Sequence, residues 1–348
     1  MNRRDILKSA AIASVIGATG FTNVEARPTS TRAKAIRPMR LKAGDTVAVI
    51  APSSGASAEA FERALANVAS LGLKAKVGKF ARGTNDFLSG TDKERLSDLH
   101  WAFMDAEIDG VWCVRGGSGA PRLLPDIDYA LIRKNPKVFI GFSDITALHI
   151  AISQQTGLIT FHGPVASSDL SEYPKTNLAN TVMTPVENYK IVPSQYNISQ
   201  ASALFKPNVI TPGRARGRLM GGNLSLLAAL AGTPYALRDL KGAILFAEDI
   251  NEPPYKIDRL FTQLRQSCDL RQLAGVALGV FSSDQAATDS VTASTQRVLK
   301  DRLGDLGIPV VSGLSFGHIR DNCTLPVGIE AELDTATATI TLLESAVK

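Results

Sequence analysis

The chain has 348 residues, of which 45% are hydrophobic and 20% are charged, and this balance excludes a mainly disordered protein. The formal net charge is only +5 and aromatic residues make up 6%, so the chain lacks the composition of a dedicated nucleic-acid binder. The three cysteines, Cys113, Cys268 and Cys323, are too few and too scattered for a disulfide framework. No histidines or cysteines have zinc-ligand spacing, so no metal site is predicted.

The N-terminus has the pattern of an export signal. Arg3-Arg4 precedes a weakly apolar stretch at residues 9–21, and Val24-Glu25-Ala26 then forms a small-residue cleavage site. The paired arginines resemble those of a twin-arginine signal. We therefore predict that residues 1–26 are a signal peptide, that the twin-arginine machinery exports the protein, and that the mature protein is periplasmic. The alternative is a disordered or amphipathic tail.

Short apolar runs alternate with helical patterns through the first half of the chain. Strands are predicted at residues 46–50, 75–77, 108–114, 138–142 and 158–161, and helices at 58–71, 92–106 and 143–156. This alternation is typical of βαβ units around a parallel sheet. We predict an α/β fold whose N-terminal domain, residues 37–184, has a flavodoxin-like parallel sheet.

The alternation is interrupted at residues 185–213, which contain four prolines and little periodicity, and we predict a linker between two domains there. After it, strands are predicted at 243–247, 276–281 and 308–311, and helices at 222–231, 255–264 and 292–303. The tail, residues 325–343, alternates apolar and polar residues around Asp334-Thr335, which predicts a hairpin. The C-terminal domain, residues 214–348, is therefore expected to be mixed α/β with antiparallel strands.

Three residues that could take part in catalysis each come just after a predicted strand. Ser143 lies where an apolar strand runs into a helix, a position where serine is a nucleophile or, more often, a helix N-cap. Glu248, beside Asp249, is either a ligand-facing carboxylate or part of a solvated loop. His318 is either a general base or a surface histidine. A serine hydrolase needs all three residue types, so together they predict a catalytic triad.

The glycine loop, Arg115-Gly116-Gly117-Ser118-Gly119, follows the predicted strand at 108–114. Glycines let backbone N–H groups approach a ligand closely. The loop fits no phosphate-binding pattern. It is therefore either a tight turn or one half of an oxyanion hole.

The chain carries further short motifs in a definite order. They are Ala51-Pro52-Ser53-Ser54, the glycine loop with Arg122-Leu123-Leu124, residues 141–148, Gly221-Gly222-Asn223-Leu224-Ser225, Glu248-Asp249 with Asp258-Arg259, and Gly317-His318 with Leu325-Pro326-Val327-Gly328. In this order, over about residues 41–343, the chain resembles the LD-carboxypeptidase family of serine peptidases, which includes the microcin-immunity peptidases.

The resemblance implies a two-domain fold with a Ser-His-Glu triad between the domains and no metal or organic cofactor. Ser143 matches the nucleophile, His318 the general base and Glu248 the residue that orients the base. The backbone N–H groups of Gly117 and Asp144 would form the oxyanion hole. The implied reaction hydrolyses an L-to-D amide bond and releases terminal D-Ala from a peptidoglycan tetrapeptide. Family members are often dimers.

The substrate is less closely defined by the sequence than the reaction. The family's glycine loop commonly carries Tyr where this chain has Ser118, and a Tyr ring could line a substrate pocket. Arg115 and Arg122 are candidates, by position, for binding the terminal carboxylate of the muropeptide or peptidoglycan substrate. The alternatives are a microcin-type amidase acting on a peptide–nucleotide conjugate and a non-catalytic wall-peptide binder.

Overall fold

The computed structural model describes residues 34–283 and 288–348, and the predicted signal peptide lies outside the described residues. Two β-sheets, one of six strands and one of eight, form the framework. The fold is therefore mixed α/β, as the sequence predicts. Within the described ranges, no helix combines the length and the apolar character needed to span a membrane.

The elements alternate along most of the chain. The strands are β1 (Thr46–Ile50), β2 (Lys74–Val77), β3 (Gly110–Cys113), β4 (Val138–Gly141), β5 (Thr160–His162), β6 (Tyr189–Ile191), β7 (Asn208–Thr211), β8 (Arg214–Asn223), β9 (Ala243–Ile250), β10 (Gly275–Ser282), β11 (Val310–Ser312), β12 (Leu325–Val327), β13 (Glu330–Asp334) and β14 (Thr339–Leu342). The helices are α1 (Ala58–Ser70), α2 (Asp92–Met104), α3 (Tyr129–Lys134), α4 (Thr146–Thr156), α5 (Glu172–Val182), α6 (Gln195–Ile198), α7 (Leu224–Ala229), α8 (Pro254–Ser267) and α9 (Asp289–Leu303).

The first sheet contains the five strands predicted for the N-terminal half. They run parallel in the order β2-β1-β3-β4-β5, and β3 and β4 are buried throughout because a parallel sheet is covered on both faces. Local signals set the helix starts. Ser57 caps α1 by accepting a hydrogen bond from Ala60 N–H, and Thr91 forms a capping box with Glu94 at α2.

The second sheet has the order β6-β14-β13-β8-β9-β10-β11-β7 and combines parallel and antiparallel strands. The sequence did not predict β8, because its glycines weaken a strand pattern. In the folded sheet those glycines are required by close packing. A Cβ at Gly217 would lie 2.0 Å from the carbonyl oxygen of Gly242, and one at Gly221 would lie 1.8 Å from that of Phe246.

The chain passes between the two sheets more than once. The predicted linker at residues 185–213 is more structured than expected, since it contains β6, α6 and β7, and both strands belong to the second sheet. The predicted tail hairpin is formed by β13 and β14. By contrast, β12 lies in the first sheet, antiparallel to β5. The segment between β11 and β12 therefore crosses from the second sheet to the first, and this crossing segment carries His318.

Candidate active site

Ser143, His318 and Glu248 are joined in that order by hydrogen bonds. His318 Nε2 lies 2.9 Å from Ser143 Oγ, and His318 Nδ1 lies 2.7 Å from Glu248 Oε2. The Glu248 side chain is fully buried, whereas that of His318 is 15% exposed. A buried carboxylate at Nδ1 leaves Nε2 to accept the serine proton. The arrangement is that of an activated serine nucleophile.

Ser143 lies on a strained turn. After β4 the chain enters a 3-10 helix at Ser143–Ile145 before α4 begins. The φ angle of Ser143 is +63°, in the left-handed region, which costs about 1–2 kcal/mol for an L-residue. The N-cap positions belong to Phe142 and Ile145, so the N-cap interpretation of Ser143 is wrong. The strained turn instead directs the hydroxyl towards His318.

The glycine loop lies against the nucleophile. A Cβ at Gly116 would lie 2.9 Å from Ser143 Cβ, too close for any residue except glycine. The φ angle of Gly117 is +109°, and a Cβ there would lie 2.3 Å from Ser54 Oγ. Ser54 Oγ in turn accepts a 3.0 Å hydrogen bond from Ser118 N–H. This hydrogen bond involves only the backbone of Ser118. It therefore fixes the loop whichever side chain stands at position 118.

The side chain of Asp144 holds the glycine loop and the nucleophile turn together. Its Oδ2 accepts hydrogen bonds from the Ser53 hydroxyl at 2.6 Å and from Ala120 N–H at 2.7 Å. Burial raises the pKa of the Asp144 carboxyl. From the sequence, only the backbone N–H of this residue is assigned a role. The signal that could have revealed the side-chain role was the serine pair in residues 51–54.

Glu248 lies inside β9, which continues to Ile250, and not after the strand as predicted. Parallel pairing places Asn223, the last residue of β8, beside Glu248 in register, and Asn223 Nδ2 lies 3.4 Å from Glu248 Oε1. A Cβ at Gly317 would lie 2.7 Å from Glu248 Oε2. The glycine before His318 therefore permits the close approach of the histidine segment to the carboxylate.

Asp249 is buried and both of its carboxylate oxygens accept hydrogen bonds. The interpretation of this residue as part of a solvated loop is therefore wrong. Its two carboxylate oxygens accept hydrogen bonds from Asn223 Nδ2 at 2.8 Å and from the backbone and hydroxyl of Ser225 at 2.8 and 2.7 Å. Burial, with a smaller effect from the Glu248 charge, raises the pKa of the Asp249 carboxyl. Asn223 and Ser225 were not predicted to support the site, although both belong to the Gly221–Ser225 motif.

The segment around His318 is held on several sides. Gly317 N–H donates a 3.0 Å hydrogen bond to Asn322 Oδ1, and the Ser282 hydroxyl donates one of 2.9 Å to the carbonyl of His318. The Phe142 ring lies 4.7 Å from the imidazole, measured between centroids. These contacts fix the imidazole between nucleophile and carboxylate, so the surface-histidine interpretation of His318 is wrong.

Two further histidines lie behind the site and are buried. Burial lowers the pKa of His149 to about 4 and also lowers the pKa of His162. His149 Nε2 lies 2.8 Å from the carbonyl oxygen of Gly141, and the His162 ring lies 6.0 Å from that of Phe142. Both rings therefore support the end of β4 as neutral groups. In the part of the chain that the structure describes, no three His, Cys, Asp or Glu side chains are grouped as metal ligands would be.

The two arginines predicted to bind substrate have different surroundings. Arg122 is paired with Asp92 through contacts of 3.1 and 2.8 Å. Arg115 donates a 3.1 Å hydrogen bond to the carbonyl of Gly55 and lines a cavity of about 400 Å³ on the glycine-loop side of the site. Because Arg122 already has a carboxylate partner, Arg115 is the better placed of the two to meet a ligand.

Comparisons with known proteins match both halves of the chain. Residues 47–163 match the LD-carboxypeptidase N-terminal domain and residues 216–333 match the LD-carboxypeptidase C-terminal domain. Over 303 residues the chain is 39% identical to the probable murein peptide carboxypeptidase of Bacillus subtilis, covering 87% of this chain and 93% of that protein.

Solved structures show the same relationship. The muramoyltetrapeptide carboxypeptidase from Oxalobacter formigenes superposes with a TM-score of 0.71 at 31% identity, covering 85% of this chain and 97% of the other. An MccF-like protein from Bacillus anthracis superposes with a TM-score of 0.78 at 30% identity, covering 89% and 99%. The matched regions therefore span at least 93% of the length of each of these three relatives.

Proposed function

The chain belongs to the LD-carboxypeptidase family of serine peptidases, and we propose from this premise that it removes the terminal D-Ala of a peptidoglycan tetrapeptide. The bond hydrolysed is the amide between the L-centre of the preceding residue and D-Ala. One observation carries the proposal: an unbroken line of hydrogen bonds runs from Ser143 through His318 to Glu248. The relatives named as murein peptide carboxypeptidases support the substrate class.

The geometry supports a two-step acyl transfer. Ser143 Oγ attacks the carbonyl carbon while its proton passes to His318 Nε2, and the Glu248 carboxylate stabilises the imidazolium at Nδ1. The carbon–nitrogen bond then breaks, and His318 gives the proton to the leaving amine. Water, deprotonated by His318, attacks the acyl-enzyme and releases the shortened peptide and the free serine.

We assign the oxyanion hole to the backbone N–H groups of Gly117 and Asp144. Two features support the assignment: the glycine loop lies against Ser143, and Asp144 directly follows the nucleophile. Preorganised N–H donors of this kind are worth about 2.7–4 kcal/mol of transition-state stabilisation each. The assignment also explains why Asp144 is tied to the loop through its side chain.

Mass spectrometry of the products tests the proposal. Muramoyl tetrapeptide and, in a separate reaction, a peptide–nucleotide conjugate are incubated with the protein. EDTA is present because no metal is proposed, and Ser143→Ala is the control. Release of D-Ala by the wild type alone supports the proposal. Cleavage of a peptide–nucleotide conjugate in place of the tetrapeptide would favour the microcin-type amidase, and binding without turnover would favour the wall-peptide binder. The joined triad argues against the latter.

We further propose that the protein is exported, forms a homodimer and has a flavodoxin-like first sheet. The paired arginines near the N-terminus support export by the twin-arginine machinery to the periplasm. There the enzyme would meet the wall itself. The family resemblance supports a homodimer. The strand order β2-β1-β3-β4-β5 supports a flavodoxin-like classification of the first sheet.

A further inference from the structure

A small cavity adjoins the triad on the side of His318. It has a volume of about 260 Å³ and is lined by His318, Phe142, Asp169 and Arg320, among others. Sites that hold drug-sized ligands usually measure about 300–1,000 Å³, so this cavity suits a single small amino acid. A larger cavity of about 550 Å³ lies beyond it, and Arg320 lines both.

The chemistry of the reaction decides which part of the substrate enters the small cavity. His318 must give its proton to the nitrogen of the leaving amino acid, so that amino acid lies against the His318 side of Ser143. The carbonyl oxygen is held on the other side, where the glycine loop lies. If the proposed function holds, the small cavity therefore receives the leaving D-amino acid, whose free carboxylate needs a cationic partner.

We propose that Arg320 binds the terminal carboxylate of the leaving D-amino acid, an inference that rests on the proposed function. A guanidinium presents a planar set of donors that matches a carboxylate. The side chain of Arg320 is 45% exposed, and its Nε lies 3.5 Å from Oδ2 of Asp169, which is 68% exposed. An exposed ion pair of that length is weak, so a substrate carboxylate can replace it.

The position of Arg320 relative to the reaction centre is fixed by its neighbours. The guanidinium carbon lies 4.2 Å from the centre of the Tyr196 ring, a favourable cation–π distance. The next residue, Asp321, is buried and accepts hydrogen bonds from the hydroxyls of Ser171, at 2.8 Å, and Ser194. Arg320 therefore lies two residues after His318 and directly before an anchored residue.

The two arginines predicted from the sequence fit this role less well. Arg122 is held by Asp92. Arg115 lines the cavity beside Ser54 and Gly55, on the oxyanion side. From there it would meet the acyl part of the substrate and not the leaving group. Only Arg320, among these three, lines the cavity that contains His318.

The test compares a tetrapeptide that ends in D-Ala with the same peptide ending in D-Ala carboxamide. Steady-state kinetics are measured for the wild type, Arg320→Ala, Arg320→Lys and Arg115→Ala. Arg271→Ala is the matched control, because Arg271 is an exposed arginine paired with Asp269. We expect Arg320→Ala to lower kcat/KM for the acid by about 10- to 100-fold, mainly through KM, as for loss of charge-assisted hydrogen bonds.

The carboxamide supplies the discriminating readout. Arg320→Ala should leave its kcat/KM within about 2-fold of the wild type, since a neutral amide gains little from a cation. Arg320→Lys should recover part of the activity on the acid. Equal losses on both substrates would reveal a structural role in the His318 segment and overturn the proposal. An unchanged Arg320→Ala, or a selective loss in Arg115→Ala, would also overturn it.

The wild-type rates on the two peptides distinguish failure of the proposed function from failure of the carboxylate site. If the wild type cleaves neither peptide, both proposals fall. If it cleaves acid and amide equally well, hydrolysis of the L-to-D bond stands, and the carboxylate site alone is overturned.

Discussion

The hydroxyl of Ser53 donates a 2.6 Å hydrogen bond to Oδ2 of Asp144, the residue that follows the nucleophile. The same oxygen accepts the N–H of Ala120, just past the glycine loop. One buried carboxylate therefore joins three segments that are distant in sequence. A buried charge is stable only with such donors, so the contact both stabilises the fold and positions the proposed oxyanion hole.

Replacing Ser53 with Ala should lower both the stability of the fold and the catalytic rate. Asp144 would lose a donor while remaining buried, which costs about 1–3 kcal/mol of unfolding free energy. We expect kcat to fall more than KM changes, because the donors to the oxyanion lose their positioning. Urea unfolding and steady-state kinetics measure the two effects. Thr288→Ala, which removes the N-cap of α9, should cost about 1 kcal/mol without changing kcat. Unchanged kcat in Ser53→Ala would contradict the positioning role.

Because the backbone at Ser143 is strained, glycine should be more stabilising than alanine at this position. Ser143→Gly and Ser143→Ala both remove the hydroxyl, but only glycine relieves the left-handed φ angle of +63°. The glycine variant should therefore be more stable to urea by about 1 kcal/mol. At the exposed helical residue Ser97, the order should reverse, with alanine about 1 kcal/mol more stable than glycine. The same order at both positions would show that the turn is not strained.

The sequence was sufficient to single out Ser143, Glu248 and His318 as a candidate triad, because each follows a predicted strand in a chain order typical of hydrolases. It was insufficient to show that they meet. Their meeting depends on β12, a three-residue strand from the C-terminal half that pairs with β5 in the first sheet. No local pattern distinguishes this pairing from a continuation of the tail hairpin, since both are short antiparallel strands.

The missed elements have a common physical cause. No strand is predicted where β8 lies, and its last two residues are assigned to a helix, because Gly217 and Gly221 lack the side chains that indicate a strand. Asp249 looked solvated because an acidic side chain is usually exposed, and only the fold supplies Asn223 and Ser225 as donors. Arg320 carried no local signal at all. Its proposed role in binding substrate depends on a cavity that is formed by segments distant in sequence.

Acid should destabilise the protein through its buried histidines. Burial lowers the pKa of His149 to about 4, whereas the unfolded value is about 6.5. Between these values the unfolded state binds more protons, so the free energy of unfolding falls as the pH falls. From pH 7 to pH 5, His149 should contribute a loss of about 2 kcal/mol. In urea unfolding, the free energy of unfolding of His149→Gln should fall by about 2 kcal/mol less than that of the wild type between pH 7 and pH 5. An identical slope in variant and wild type would refute the assignment.

Export should depend on the two arginines at the start of the chain. Replacing Arg3 and Arg4 with Lys should keep a tagged protein in the cytoplasm, because the paired arginines are the element that resembles a twin-arginine signal. Cell fractionation followed by immunoblotting measures the distribution. N-terminal sequencing of the exported wild type should begin near Arg27. Undiminished periplasmic recovery of the double variant would exclude this export route.

The triad should behave as one catalytic unit. Ser143→Ala should abolish turnover while leaving substrate binding nearly intact. His318→Ala should be about as damaging, because His318 Nε2 is hydrogen-bonded to the Ser143 hydroxyl and members of a catalytic unit are non-additive. Glu248→Gln should be less severe, since it retains the shape and loses the charge that stabilises the imidazolium. The double variant of Ser143 and His318 should be scarcely worse than either single variant. Measurement of kcat/KM decides the matter. If Ser143→Ala retained more than about a tenth of the wild-type value, the lost stabilisation would be below about 1.4 kcal/mol, too little for a covalent nucleophile.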